Sequence, residues 1–180
     1  MVDLINSGSY NMIIKVLTLY FITERIENNN DPHKINVLNK IPMFLLSKSP
    51  LLSAFTIRLL QAYVHVSNNT SALETLLTIQ AQQHEEIYIF GLALLYVVES
   101  LSFCKIKLSP ILYESIFSWQ CALIASPFVQ IRELGFKLAE SVVAISPENS
   151  PNIALFIEEH EDEISKKAIG KFLSFFSIEK

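Results

Sequence analysis

Serine–proline pairs divide this 180-residue chain at nearly regular places. Five of the seven prolines follow a serine, at Ser49-Pro50, Ser109-Pro110, Ser126-Pro127, Ser146-Pro147 and Ser150-Pro151. A serine hydroxyl accepts a hydrogen bond from the first N–H groups of a helix, and proline suits the next position because it has no N–H to leave unsatisfied. Each pair therefore predicts the start of a helix.

Apolar residues recur at helical spacing along most of the chain, and no sustained alternation indicates a strand. The pattern predicts an all-α fold of about nine helices, over residues 9–26, 33–46, 49–66, from 71, 83–103, from 109, 126–145, from 150 and 164–176. The second helix is expected to be disturbed at Pro42. The segment from Ser71 to Glu74 has the form of a capping box, in which a glutamate reaches back to the N-cap N–H.

Pairing these helices gives units that start near His33, Ser71, Ser109 and Ser150, at steps of 38, 38 and 41 residues. Helical hairpins of roughly 40 residues, stacked side by side, build α-solenoids. The sequence therefore predicts one α-solenoid domain over residues 1–180, with an N-terminal capping helix in 1–32 and about four hairpin repeats in 33–180. An irregular helical bundle is the alternative.

The composition is apolar, with 51% hydrophobic and 18% charged residues, against about 25% charged in ordinary soluble domains. A net charge of −4 and scattered cations argue against nucleic acid as a partner. No lysine or arginine occurs from Leu59 through Cys104, which predicts either an interface or a central repeat shielded by its neighbours. Two cysteines fit a reducing compartment, so we expect a cytoplasmic protein, with the nucleus as an alternative.

The first helix carries apolar residues on more than one side and suits a free solenoid end poorly, so we expect it to dock. Its broad apolar face comprises Met12, Ile13, Val16, Leu17, Tyr20 and Phe21. The most apolar segment, Ile87 to Val98, has twelve residues without a charge, whereas a membrane span needs about 20. We expect neither a secretion signal nor a spanning helix.

The segment from Ser126 to Gly135 resembles the turn and second helix of a HEAT repeat. In that family a proline turn is followed by an aliphatic–arginine pair, and then by a small residue where two helices approach closely. These roles would fall to Pro127, to Ile131 with Arg132, and to Gly135, while the aspartate common in the turn is here Ser126.

Two other segments match this pattern partly. Ile87 stands four residues before Gly91 in the same register, with Tyr88 in place of the arginine, and Pro50 with Ile57-Arg58 is a looser match. The resemblance implies a HEAT- or armadillo-like α-α superhelix. It also implies that Arg132 pairs with an acid of a neighbouring repeat or with loop carbonyls.

Catalytic motifs are not found. The acidic run from Glu158 to Glu163 offers potential metal ligands, but contiguous carboxylates fan around a helix, and a solvated helix end explains them. His84-Glu85-Glu86 does not continue to the second histidine of a zinc motif, because position 88 is tyrosine. We therefore expect no enzyme, no cofactor and no metal.

The leading hypothesis is a non-catalytic scaffold or adaptor that binds other proteins as a subunit of a larger intracellular complex. Candidate partner-binding residues are Arg132, Tyr88, Tyr96, Trp119 and Arg58. One alternative is a membrane-peripheral trafficking module that sets Ile87–Val98 or the 172–176 segment against lipid. Another is a metal-dependent hydrolase that uses the acids at 158–163. Phosphorylation of one or more Ser-Pro pairs also stays open.

Overall fold

The computed structural model describes residues 12–29 and 38–159, and its regular structure is helical. Within this part of the chain there are eight α-helices and no strand, so the predicted all-α class is confirmed. The helices are α1 (Met12–Asn29), α2 (Ile41–Leu45), α3 (Pro50–Ser67), α4 (Ser71–Leu77), α5 (His84–Phe103), α6 (Pro110–Ile124), α7 (Val129–Ile145) and α8 (Ser150–Glu159), with 3-10 turns at Leu38–Lys40 and Pro147–Asn149. The ninth predicted helix, 164–176, lies outside the described residues.

Two of the serine–proline pairs start helices as predicted. The Leu52 N–H donates to the Ser49 hydroxyl at 3.3 Å, and the Leu112 N–H donates to the Ser109 hydroxyl at 3.4 Å. The proline of each pair is the first residue of its helix, where its missing N–H costs nothing. Local side-chain chemistry therefore fixes where α3 and α6 begin.

The prediction was wrong in detail at two other pairs. Ser126 accepts from the N–H of Phe128 at 3.3 Å, and α7 begins only at Val129, so this pair forms a turn ahead of the helix. Ser146 is the residue that ends α7, and Pro147 starts a 3-10 turn. The fifth pair lies at the start of α8.

The capping box predicted at Ser71 to Glu74 is also wrong. Thr70 stands at the N-cap, and its hydroxyl donates to the Glu74 carboxylate at 2.7 Å. A glutamate that reaches back is found instead at α5, where Glu86 accepts from the N–H groups of Gln82 at 3.1 Å and Gln83 at 3.2 Å. These backbone hydrogen bonds lower the pKa of Glu86, because they stabilise the charged carboxylate.

The chain divides after Ile106 into two units. In the first, α3 contacts α1, α2, α4 and α5. In the second, α7 packs against α6, and α8 follows the 3-10 turn. The single solenoid domain expected over residues 1–180 stays a prediction.

The stretch without lysine or arginine supplies much of the core. Leu60 of α3, Leu73 of α4, and Phe90 and Leu94 of α5 are completely buried. A polar link joins the start of α3 to α2, because the buried Ser53 hydroxyl donates to the Leu45 carbonyl at 2.7 Å. Burial against neighbouring helices therefore explains why most of this segment lacks lysine and arginine.

Helices α6 and α7 approach each other most closely at Gly135. A Cβ placed there would lie 2.8 Å from both the backbone nitrogen and the side chain of Ile124, and 3.0 Å from the Leu123 side chain. The sequence predicted a small residue at a close helix–helix approach here, and the structure places one there. Only a residue without a side chain fits this contact.

Replacing Gly135 with alanine is expected to lower the free energy of unfolding by about 1–2 kcal/mol. Overpacking costs about 1–3 kcal/mol, and the 2.8 Å approach to the Ile124 backbone nitrogen, which cannot rotate away, places Gly135 at about 2–3 kcal/mol. The better helix propensity of alanine returns about 1 kcal/mol of this cost. Urea denaturation measures the difference. Glu133→Ala, at an exposed position of the same helix, is the control and should change stability by less than about 0.5 kcal/mol. A G135A protein as stable as the wild type would contradict the close packing.

The amide of Gln120, in α6, is buried and unpaired among the described residues. Gln120 is 1% exposed, and neither atom of its amide has a hydrogen-bond partner among the residues that the structure describes. A buried amide without partners loses its hydration and gains nothing in return. Gln120 therefore destabilises the second unit.

Gln120→Leu is expected to stabilise the protein by about 1–3 kcal/mol, because it removes the uncompensated desolvation of the amide. Thermal unfolding followed by circular dichroism measures the effect. Gln130→Leu, at an exposed position of α7, is the matched control and should leave the melting temperature nearly unchanged. A lower melting temperature for Q120L than for the wild type would show that the amide makes a stabilising contact.

Candidate protein-docking surface

Helix α1 buries one face and exposes another. Its buried apolar side chains are Val16, Leu19, Ile22 and Ile26, at spacings of three and four residues, and α1 packs mainly against α3. The sequence placed Val16 on one broad face with Met12, Ile13, Leu17, Tyr20 and Phe21, and the structure separates it from them. The other five remain exposed because the helix has packed through its opposite side.

We call the exposed side of α1 the α1 docking face; its apolar members are Met12, Ile13, Ile14, Leu17, Tyr20 and Phe21. Ile13 and Phe21 are 61% and 58% exposed, and Lys15 is the only charged residue between Met12 and Thr23. The exposed apolar area is on the order of 600 Å², the upper end of the largest patches on typical monomers. Patches of this size mark interaction sites.

Arg58 borders the α1 docking face on the side of α3. Its guanidinium lies 3.3 Å from a Glu24 carboxylate oxygen and 3.7 Å from one of Glu27. It also lies 5.9 Å from the ring centroid of Tyr20, which makes an edge contact with Phe55. All three charged side chains are more than a third exposed, so the ion pairs contribute little to stability.

A separate depression lies where the N-terminal ends of α1 and α3 meet. Lys15 and Lys48 line this open depression of about 470 Å³ together with Met12, Pro50 and Leu52. Neither ammonium group makes an ion pair with a described residue. Because successive helical residues are about 100° apart, Lys15 points about 160° away from Ile13 and Leu17 and is not part of the α1 docking face.

The five residues proposed from the sequence as partner contacts do not form one cluster. Arg58 borders the α1 docking face, Tyr96 is 40% exposed on α5, and Tyr88 is half-buried on the same helix. Trp119 and Arg132, both half-buried, belong to the second unit. Their partner contacts stay predictions.

Arg132 has a local structural role. Its guanidinium donates to the carbonyl oxygens of Ser126 at 2.9 Å and Pro127 at 3.0 Å. These bonds tie the turn before α7 to the first turns of the helix. They are the loop-carbonyl contacts that the HEAT resemblance implies for this arginine.

A thiol and an imidazole meet between α3 and the end of α5. The Cys104 sulfur lies 3.3 Å from Nδ1 of His65, whose ring makes an edge contact with Phe103. Burial raises the pKa of the Cys104 thiol, so the thiol stays protonated at neutral pH. The geometry resembles a nucleophile–base pair, but the protonation state does not favour nucleophilic attack.

The metal site of the hydrolase alternative and the lipid contacts of the membrane alternative have little support in the described residues. Among residues 12–29 and 38–159, no group of three or more His, Cys, Asp or Glu is placed to hold a metal ion, and the acids at 158–163 lie outside the described side chains.

Helix α5 is the one described helix long and apolar enough to cross a membrane, and half of its most apolar 18-residue segment is buried inside the protein. Between Ile87 and Val98 only Tyr96 is exposed. The second proposed lipid contact, 172–176, lies outside the described residues.

Both cysteines are expected to react slowly with iodoacetamide near neutral pH, because the thiolate is the reactive form. Burial raises the pKa of Cys121 to about 11, so it should react more slowly than Cys104 below that pH. Both rates should rise with pH until it passes each pKa. Peptide mass spectrometry after timed alkylation measures them, with free cysteine as the reference. A Cys104 faster than free cysteine near pH 7 would contradict the raised pKa of this thiol.

Comparison with known proteins gives no relative from which a function could be transferred. The chain matches no protein-family model, no curated protein and no solved structure.

Proposed function

We propose that this protein is a non-catalytic interaction module, an adaptor or subunit of a larger intracellular complex, that binds another protein through the α1 docking face. The observation that carries the proposal is the row of exposed apolar side chains on α1. Ile13, Leu17 and Phe21 follow one another at intervals of four residues, so they form one stripe about 12 Å long. Apolar stripes of this kind form the contact when a helix binds in the groove of another protein or packs against a partner helix.

Hydrophobic burial supplies the binding energy in this proposal. Leu17 is 49% and Phe21 is 58% exposed, so about half of each side chain is available to a partner. Complete burial of a leucine or phenylalanine contributes about 1.5–3 kcal/mol, and half of that from each of several residues suits a complex of moderate affinity. The Arg58 guanidinium lies 5.9 Å from the ring centroid of Tyr20 at the edge of the same face.

For the architecture, we propose an α-α superhelix of HEAT- or armadillo-like hairpins. Helices α4, α6 and α8 begin at Ser71, Pro110 and Ser150, at intervals of 39 and 40 residues. The α6–α7 hairpin has the close contact at Gly135 and the arginine-to-turn hydrogen bonds that the HEAT pattern requires. Stacked hairpins contact only their neighbours and leave an extended surface free, which agrees with α1 as a docking element.

The double variant Leu17→Gln/Phe21→Gln is expected to reduce binding at least tenfold, because it removes apolar area without changing charge or helix propensity strongly. Tagged wild-type and variant proteins are returned to their native cells, cross-linked and purified, and the co-purified proteins are quantified by mass spectrometry. The control, Ile111→Gln, changes a side chain that is 76% exposed on α6, outside the docking face.

Partners that the wild type and I111Q retain, and that L17Q/F21Q loses, support the proposal. Circular dichroism must show that L17Q/F21Q keeps its helix content. We expect this result because both side chains point away from the packed core. Equal recovery of every partner with L17Q/F21Q would refute docking through α1.

A further inference from the structure

Exposed apolar residues on α1 are arranged symmetrically about Leu17. Ile13 and Phe21 lie four residues before and after it, and Ile14 and Tyr20 lie three residues before and after it. All five side chains are at least 36% exposed. Residues at spacings of three and four are neighbours on one side of a helix, so two apolar rows cross at Leu17. Reversing the direction of the helix about Leu17 therefore leaves an apolar residue at each of these positions.

The two ends of this cluster differ in shape. Ile13 and Ile14 form the N-terminal end, whereas Tyr20 and Phe21 form the C-terminal end, where their ring centroids lie 5.7 Å apart in an edge contact. If two α1 helices pack antiparallel, the isoleucines of each copy face the aromatic rings of the other. Large side chains that face smaller ones across a contact interdigitate. Parallel helices would instead set rings against rings and isoleucines against isoleucines.

Charge also favours the antiparallel arrangement. Glu24 and Glu27 follow the C-terminal end of the cluster, so parallel helices would bring the acids of two copies side by side. Antiparallel helices that cross at Leu17 separate the two Glu24 residues by about 20 Å along the axis. This separation is well beyond the Debye length of about 8 Å at physiological ionic strength. Lys15, the one charged residue of 13–21, points away from the cluster.

The exposed apolar area suits a contact between two copies. The α1 docking face offers on the order of 600 Å², so two copies would bury about 1,200 Å² in total, the lower limit for stable and specific interfaces. Helix α1 is already packed against α3, so the contact does not require the helix to fold. These quantities indicate a dimer of moderate affinity.

We propose that the protein bound by the α1 docking face is a second copy of this chain, in a two-fold symmetric dimer whose α1 helices cross antiparallel at Leu17. Leu17 packs against Leu17 of the second copy, and Ile13 packs against Phe21 of the second copy. This inference rests on the proposed function and identifies the partner. Because both copies use the same patch, the contact closes at two chains.

Sedimentation velocity of the purified full-length protein tests self-association. We expect a monomer–dimer equilibrium with a dissociation constant on the order of micromolar. L17Q/F21Q is expected to dimerise at least tenfold more weakly, because it removes apolar area from the contact. A wild type that stays monomeric up to about 200 μM would overturn the inference.

A pair of charged variants tests the two-fold crossing at Leu17. Like charges meet at the axis in Leu17→Glu alone and in Leu17→Lys alone, whereas opposite charges meet when the two are mixed. Each variant alone should self-associate at least tenfold more weakly than the wild type, and the mixture should form dimers with one copy of each, detected by native mass spectrometry. Glutamate and lysine have helix propensities close to that of leucine, so circular dichroism should show unchanged helix content.

The matched controls are Ile111→Glu and Ile111→Lys, which change a side chain that is 76% exposed on α6, outside the docking face. Each should dimerise as the wild type does. A dimer that survives Leu17→Glu uses another surface and overturns the inference. A mixture of L17E and L17K that stays monomeric also overturns it, because the two Leu17 side chains would then not face each other.

The results also separate this inference from the proposed function. If the purified protein is monomeric and L17Q/F21Q still loses its partners in cells, docking through α1 stands and the second copy is wrong. Flotation of a monomeric wild type with phosphatidylserine vesicles, abolished in L17Q/F21Q, would overturn the inference and identify a membrane as the occupant. If the inference is right, tagged wild-type protein recovers untagged copies of this chain from cells, and tagged L17Q/F21Q does not.

Discussion

Burial of α3 on several sides is the constraint on which the first unit depends. Nine of its eighteen residues are buried, and α1, α2, α4 and α5 all contact it. Each helix around such a centre contributes one apolar stripe to the core and turns its opposite side outward. Most of the exposed large apolar side chains in the described part of this unit belong to α1. The docking face is thus a consequence of how α1 packs against α3.

Polar chemistry in this protein acts mainly at the ends of helices. Ser49 and Ser109 accept hydrogen bonds from N–H groups in the first turns of α3 and α6. Glu86 accepts hydrogen bonds from the N–H groups just before α5, and Arg132 donates to the turn before α7. Such contacts are local in sequence and largely solvent-exposed, so each contributes modestly to stability. Their effect is to define where each helix starts and how it leaves the preceding turn. The apolar contacts then decide which helices pair.

The candidate interface joins two features that lie apart in the sequence. The apolar stripe belongs to α1, whereas Arg58 comes from α3. Packing of α1 on α3 places this arginine beside the carboxylates of Glu24 and Glu27 and near the Tyr20 ring at the edge of the docking face. The charged border of the face is therefore set by contacts between the two helices.

The sequence by itself determined the helical class, most helix positions and the small residue, Gly135, at a close helix–helix contact, because helical periodicity and helix-start chemistry are local. It failed at Ser126 and Glu74, where a group two or four positions away forms the hydrogen bond in place of the expected capping partner. Only the tertiary structure decided which side of α1 is buried, that Arg58 pairs with Glu24, and that the buried amide of Gln120 has no hydrogen-bond partner among the described residues. Those outcomes depend on contacts between residues far apart in the chain or on how completely a helix is covered, which local pattern does not encode.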